Sequence, residues 1–450
     1  MKNHPIQLTG LIVVLSLFTQ RLTAQELHQY SLQQCIDYAV QHQTTIKAAK
    51  IDEQSAIALN KEVTGRALPQ ITGSGSMQDN IVVQKQLIDG SYFDPNVPKG
   101  TLIPIAFGTP YNLGGSINAT QTIFDGSIMV ALQAKRTLEQ LAHLNVVSTE
   151  RDTKVSVSKA YYTILLSDKQ LQLVNDNIGR LQKLLSDTKI MYKNGVVEKL
   201  DMDRLVVQLN NLQSQLVQGQ NFRALGEQLL KYQMGMPLAD SIALTDTLSF
   251  DDMKGELPAD KNFDYNNLVD YQLLSTQKKA NEYNLKRYKL AYAPTLSAFG
   301  TMGASRQSYK FDYLTPHQFW YGYGFIGLSL NVPIFDGFQK KHQVDQAWLA
   351  VEKTQVQLDG LKQSIDLSQQ QSHTNLINNL LTMEAQQKNM SLAEEVYNTT
   401  VKKYEQGVGS TTEINNAEGD LQTAQLNYYN ALYNTIISKI DYQKAYGEIK

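Results

Sequence analysis

The sequence predicts a mixed α and β fold in which one unit is written twice, and three observations carry that expectation. The first is repetition. Ile123-Phe124-Asp125-Gly126 returns as Ile334-Phe335-Asp336-Gly337 about 211 positions later, and Tyr192-Lys193-Asn194-Gly195 returns as Tyr404-Glu405-Gln406-Gly407 about 212 later. Pro69-Gln70-Ile71 with Gly73, Gly75 and Met77 recurs as Pro294-Thr295-Leu296 with Ala298, Gly300 and Met302, displaced by about 225. The offset changes only ahead of the FDG motif, so the copies differ mainly in one loop. The second observation is period-two alternation before each FDG. The third is the length of the helical pattern after it.

The start reads as an export signal over residues 1–24. Lys2 and His4 are basic, Leu11 to Phe18 is apolar, and Thr23-Ala24 offers a small-residue cleavage region, leaving Gln25 as the first mature residue. The apolar run is shorter than the roughly 20 residues a membrane-spanning helix needs. No other stretch of the chain has that character, so no transmembrane helix is expected after cleavage.

The first repeat is expected over residues 25–234. Its opening helix begins at Ser31, with Gln34 completing a capping box, and runs to about Arg66, where Pro69 stops it. A strand pair follows over 69–123. Ile71, Gly73, Gly75 and Met77 alternate with Thr72, Ser74 and Ser76; Tyr111, Leu113, Ile117, Ala119 and Ile123 alternate with Asn112, Ser116, Asn118, Thr120 and Thr122. The intervening Gln84 to Pro110, rich in turn residues, is expected as a loop. A helical hairpin is predicted over 127–233, with Leu171, Val174, Ile178, Leu181 and Leu185 spaced as one heptad seam and Leu205, Leu209, Leu212 and Leu216 as another, each suited to packing on a neighbouring helix. Ser127 to Tyr192 lacks proline and would measure about 100 Å as one helix, far beyond the usual three or four turns.

Residues 235–263 read as a linker in which Ile242 and Leu244 alternate as one short strand. The second repeat, 264–450, repeats the order: helix, strand pair 294–334, hairpin 338–447. Its strands are read from Leu296 to Met302 and from Ile326, Leu328, Leu330, Val332 and Ile334. Tyr313, Phe319, Trp320, Tyr321 and Tyr323 are read as an aromatic girdle at a membrane surface. The half-length helices nearly add up to the long ones, as in a tube wall of uniform height.

Four strands with one apolar and one polar face cannot close a barrel, and lipid forbids an open sheet edge. Known outer-membrane barrels begin at about eight strands. Several chains are therefore expected to contribute staves, and three copies would supply twelve.

In order, spacing and duplication, the strand-FDG boundary (Val332-Pro333-Ile334-Phe335-Asp336-Gly337 most clearly), the tips Tyr192-x-x-Gly195 and Tyr404-x-x-Gly407, and the opening Ser31, Leu32, Cys35, Ile36, Asp37, Tyr38 and Ala39 strongly resemble the TolC family of outer-membrane efflux proteins. The resemblance covers essentially the whole mature chain. It implies a homotrimer in outer-membrane lipid, with a 12-stranded β-barrel continuous with a 12-helix periplasmic α-barrel. It implies a passive exit duct for efflux or type I secretion, docked through its tips to a periplasmic adaptor and an inner-membrane pump of RND or ABC type. Tyr192, Gly195, Tyr404 and Gly407 would form the docking tips. By motif, Asp201, Tyr404 and Glu413 would form the entrance gate, with Asn416 where a second acid would stand and Gly409 in place of a gate arginine. The chain also carries Gln43-Thr44 where the family usually has asparagine-proline, and Glu198-Lys199 where small residues are common.

Other chemistry finds no support. A net charge of −2 gives no basic footprint for nucleic acid. Cys35, the only cysteine, excludes an intrachain disulfide and reads as a small buried helix residue. Gly322-Tyr323-Gly324-Phe325-Ile326-Gly327 has dinucleotide-fingerprint spacing but no strand-to-helix context, and glycines in a barrel strand relieve crowding. His28, His42, His143, His317, His342 and His373 are scattered without metal-ligand spacing. Asp251-Asp252 reads as a solvated loop. Neither an enzyme nor a cofactor is expected. The alternative function is a non-pore periplasmic coiled-coil or adhesin-like protein.

Overall fold

The computed structural model describes residues 28–248, 263–313, 315 and 319–449. The expected export signal, the Asp251-Asp252 loop and His317 lie outside the described residues. In chain order, β1 (His28–Tyr30) leads into α1 (Leu32–His42) and α2 (Thr44–Gly65). β2 (Gln70–Asp79) is followed by a small hairpin, β3 (Lys85–Asp89) with β4 (Leu102–Ala106), and then by β5 (Tyr111–Phe124). The 68-residue α3 (Gly126–Lys193) precedes α4 (Lys199–Met234) and β6 (Ile242–Leu244). The second repeat gives α5 (Val269–Leu290), β7 (Thr295–Ser308), β8 (Tyr321–Asn331), the 67-residue α6 (Gln339–Glu405) and α7 (Thr411–Ala445). These residues form two compact units, each drawing on both repeats.

The unit of residues 52–143 and 273–359 holds the antiparallel sheet β2-β5-β7-β8. Its register separates two faces. Ile71, Ile117, Met302 and Ile326 share one face with Leu296, Leu328 and Leu330. Ser74, Ser116, Asn118, Thr301 and Ser329 share the other. Ile71 is 71% exposed, Met302 73% and Ile326 92%, so among the described residues no layer covers the apolar face. β2 and β8 are the edges of the sheet, and among the described residues their outer backbone groups have no strand partner.

Four details of the strands depart from the sequence reading. The register skips between Thr122 and Phe124, placing Ile123 in a bulge rather than on the apolar face. β7 continues past Met302 to Ser308, while β8 ends at Asn331, so Val332 and Ile334 follow the strand instead of extending it. Pro333, which has no N–H to give a ladder, sits in that exit. Tyr321 and Tyr323 pair with Ser305 and Gly303, which puts them on the polar face and not in a girdle on the apolar one. The loop from Gln84 to Pro110 is built around the β3–β4 hairpin, closed by Asp89, whose carboxylate accepts from Ser91 N at 3.1 Å and Gly100 N at 2.9 Å.

The second unit comprises residues up to Ile51, 144–272 and 360–450. Ser31 caps α1 through the expected box, with Gln34 Oε1 accepting from Ser31 N at 2.9 Å. The first helix does not run unbroken to Arg66. Gln43 interrupts it with an extended backbone, ψ 128°. Its side-chain Nε2 donates to the carbonyls of Tyr232 and Gln233 at 3.2 and 3.0 Å, and its Oε1 accepts from Thr44 N at 2.6 Å. One amide thus satisfies the end of α4 and the start of α2. Gly235 closes α4 at φ 69°, and a Cβ there would lie 2.7 Å from Gln43 Cα.

Cys35, Ala39, Tyr161, Ile164, Leu230, Met234 and Leu432 form the main core of this unit. Burial pushes the Cys35 thiol up to about 12. Farther along the helices, Leu181, Leu205 and Leu212 are buried against Ile178, Leu185 and Leu209, as the heptad spacing predicts. β6 pairs in parallel with β1, a strand too short to read from sequence. Asp246 locks that pair, accepting from Leu32 N at 3.0 Å and from the Tyr161 hydroxyl at 2.8 Å. Among the described residues no helix is long and apolar enough to cross a membrane.

Candidate functional site: the helix tips

The two long helices reverse by the same device. Gly195 and Gly407 adopt φ 75° and 74°, the left-handed region that glycine enters without penalty. Val196 N bonds Met191 O at 2.9 Å and Val408 N bonds Lys403 O at 3.0 Å, the long-range bond that seals a glycine-capped helix end. Val196 is 70% and Val408 79% exposed, so both reversals offer apolar side chains to solvent.

The two tip tyrosines are not equivalent. Tyr192 is exposed, whereas Tyr404 is buried, with its hydroxyl 3.3 Å from Thr188 Oγ1 and accepting from Thr411 Oγ1 at 3.4 Å. Gly409 packs beneath it: a Cβ there would sit 3.1 Å from Tyr404 N. Asp201 lies in the first turn of α4, where the helix dipole favours an acid, and its carboxylate is 3.9 Å from Arg204 Nη1. Glu413 lies in the first turn of α7, its N–H donating to the Ser410 cap at 3.2 Å and its side chain exposed. Asn416 is exposed as well. Within the chain, then, Tyr404 is held by two threonines, Asp201 has its own arginine nearby, and Glu413 points to solvent.

Sequence reasoning missed a charged cluster beside the second tip. Arg180 reaches Glu418 at 3.3 Å, donates to Asn177, and stands 5.5 Å from the centre of the Tyr397 ring. Glu418 is 3% exposed and Asn177 1%. Burial, with the Glu418 charge, pushes the Tyr397 phenol up. A groove of about 710 Å³, lined by Arg180, Asp187, Met191, Tyr397, Tyr404 and Ile414 among others, opens next to it. A signal existed: Glu418 follows Ala417 directly on the stripe that includes Ile414 and Leu421.

A sheet with a bare apolar face, and long helices that reverse at glycine tips, belong to the class of channel-forming outer-membrane proteins. The comparisons then narrow the class. The model of the family described as outer membrane efflux protein matches residues 35–235 and 276–448. Outer membrane protein TolC of Escherichia coli K12 is 21% identical over 348 residues, covering 74% of this chain and 69% of that protein. Outer membrane protein TolC of Vibrio cholerae is 20% identical over 340 residues, covering 75% and 77%. Among solved structures, the outer membrane protein VceC of Vibrio cholerae superposes with TM-score 0.72 at 15% identity, covering 92% of this chain and 96% of VceC. CusC gives TM-score 0.76 at 15% identity, covering 92% and 91%. The chain belongs to the outer membrane efflux protein family, the TolC family, and is an outer-membrane channel protein of that family. Of the solved relatives, CusC is described as forming a transmembrane channel and OprN as an outer-membrane channel.

Proposed function

We propose that three copies of this chain close a 12-stranded barrel in outer-membrane lipid, continue it as a 12-helix periplasmic tube, and so form a passive exit duct. The observation that carries the reading is the bare apolar face of a sheet with two open edges. An unpaired backbone group in hydrocarbon costs several kcal/mol, and β2 and β8 are 10 and 11 residues long, matched for pairing between copies. Strand directions alternate across β2-β5-β7-β8, so β8 of one copy would run antiparallel to β2 of the next. The boundaries that go with this reading are two repeats, 25–234 and 264–450, joined by the 235–263 segment. Native mass spectrometry in detergent should give a trimer; a stable dimer, or a monomer that conducts, overturns the assembly.

Energy would come from an inner-membrane pump of RND or ABC type, through a periplasmic adaptor that grips the tips at Tyr192, Gly195, Tyr404 and Gly407. The identical glycine closures and the exposed Val196 and Val408 support this end as the docking end. Asp201, Tyr404 and Glu413 would narrow the entrance. Single-channel conductance should rise in Asp201→Ala with Tyr404→Phe, and cation selectivity should fall in Glu413→Gln, because three acidic side chains around a narrow lumen favour cations. If both variants match the wild type, the entrance is controlled elsewhere.

A further inference from the structure

The polar face of the sheet carries no Lys, Arg, His, Asp or Glu at any position paired in register. What it carries instead is unevenly placed. Its strand positions on β2 and β5 are Ser, Thr, Asn, Gln and Gly, whereas β7 and β8 add four aromatic rings: Phe299, Tyr321, Tyr323 and Phe325. Two of these rings lie over glycines directly across the ladder. A Cβ at Gly303 would come within 2.7 Å of Tyr323 Cζ, and one at Gly327 within 2.8 Å of Phe299 Cζ. The missing side chains let the rings lie along the sheet. Phe325 sits between them, its ring centre 6.2 Å from that of Phe299 in an edge-to-face pair. Tyr321, Tyr323 and Phe325 remain 67%, 45% and 53% exposed, so their surfaces are available to a passing molecule.

We propose that Phe299, Tyr321, Tyr323 and Phe325 form a contact track for planar aromatic molecules, with cations held most tightly. The proposal rests on the reading that the polar face lines the barrel lumen. The polar groups nearest the rings are bonded among themselves. Ser74 and Ser116 share a hydrogen bond of 2.9 Å, Thr301 donates to Asn118 at 2.9 Å, and Asn118 donates to Ser116 at 3.3 Å. These four groups engage one another, and the exposed rings beside them add a large apolar contact to an otherwise polar face. With no ammonium or guanidinium on the face, the negative ring surfaces set the charge preference.

The test is block of the channel, reconstituted in a planar bilayer, by ethidium as a planar aromatic cation and tetraethylammonium as a cation without rings. Ethidium should interrupt the current at concentrations where tetraethylammonium does not. Blocked dwell times should shorten about tenfold in Tyr323→Leu with Phe325→Leu, and about threefold in Phe325→Leu alone should the double variant not assemble. Equal dwell times in wild type and variants overturn the track. So does a block that vanishes in Glu413→Gln while persisting in the leucine variants, since the acidic tip would then be the binding site. A trimer that conducts no current even in Asp201→Ala with Tyr404→Phe refutes the lumen reading itself, and the track falls with it.

Discussion

Gln43 shows how much one side chain settles in this protein. Its amide serves two helix ends, and Gly235 is the residue that lets the chain come close enough. Gln43→Ala removes those bonds and leaves the Gln233 carbonyl short of a donor, while that of Tyr232 keeps Gly235 N at 3.1 Å, a loss of about 1–3 kcal/mol. Gly235→Val should cost more, since it adds a backbone clash to a left-handed φ. Thermal melts in detergent should rank the stabilities wild type, Gln43→Ala, Gly235→Val; the reverse order for the two variants would mean that the contact is slack. Cys35 gives a second expectation. It is 0% exposed with its thiol pushed up to about 12, so at pH 8 almost none is thiolate. Maleimide should leave the native protein unlabelled and react fully after denaturation; rapid native labelling would show that α1 opens.

At the scale of elements, the sequence announced whatever repeats or alternates. FDG and the glycine tips bracket the long helices within a residue or two, and Leu181, Leu205 and Leu212 are buried as their heptad spacing requires. It was silent where a polar side chain takes over a backbone role. Gln43 carries no proline or glycine of its own, so the break was not read, although the family's asparagine-proline at this position marks one, and β1 is three residues long. The faces of Tyr321 and Tyr323 were misread although the parity was available: both are odd-numbered, while Ile326, Leu328 and Leu330 are even. At the tips, the glycine reversals were legible, but the Arg180–Glu418 pair was not, because a lone acid on a heptad stripe fits no motif. That pair makes its own prediction. Removing Arg180 alone leaves a buried charge, costing about 3–5 kcal/mol, whereas replacing both partners by apolar residues of similar size is often nearly neutral. Arg180→Ala should therefore melt well below Arg180→Met with Glu418→Leu; equal melting points would mean that water reaches Glu418.

For the whole molecule, topology follows from the asymmetry between repeats. The extra length of the first repeat is the β3–β4 segment, whose turn exposes Asn96 beside Pro95 and Pro98. If the start of α3 faces the periplasm, this hairpin, at the opposite end of β2 and β5, faces the outside. An epitope tag inserted at Asn96 should be bound by antibody on intact cells, with trimer yield unchanged because Asp89 fastens the hairpin below the insertion point. Binding only after the outer membrane is permeabilised would invert the orientation.

The parallel pair of β1 and β6 has a consequence for how the chain matures. Thr245 N bonds Tyr30 O at 3.2 Å, a link across more than two hundred residues. During export the amino end emerges first and must wait, unpaired, until the whole first repeat and the start of the 235–263 segment have arrived. Asp246 arrives later still, and only then can Leu32 N gain its acceptor. Assembly of this region is thus timed by chain delivery rather than by local helix formation, since loop closure over that distance must precede any contact that rewards it. Chains truncated before Ile242 should leave the segment around Tyr30 open to protease, and chains extended past Asp246 should protect it. Protection already present in the shorter chains would show that α1 docks without the strand pair.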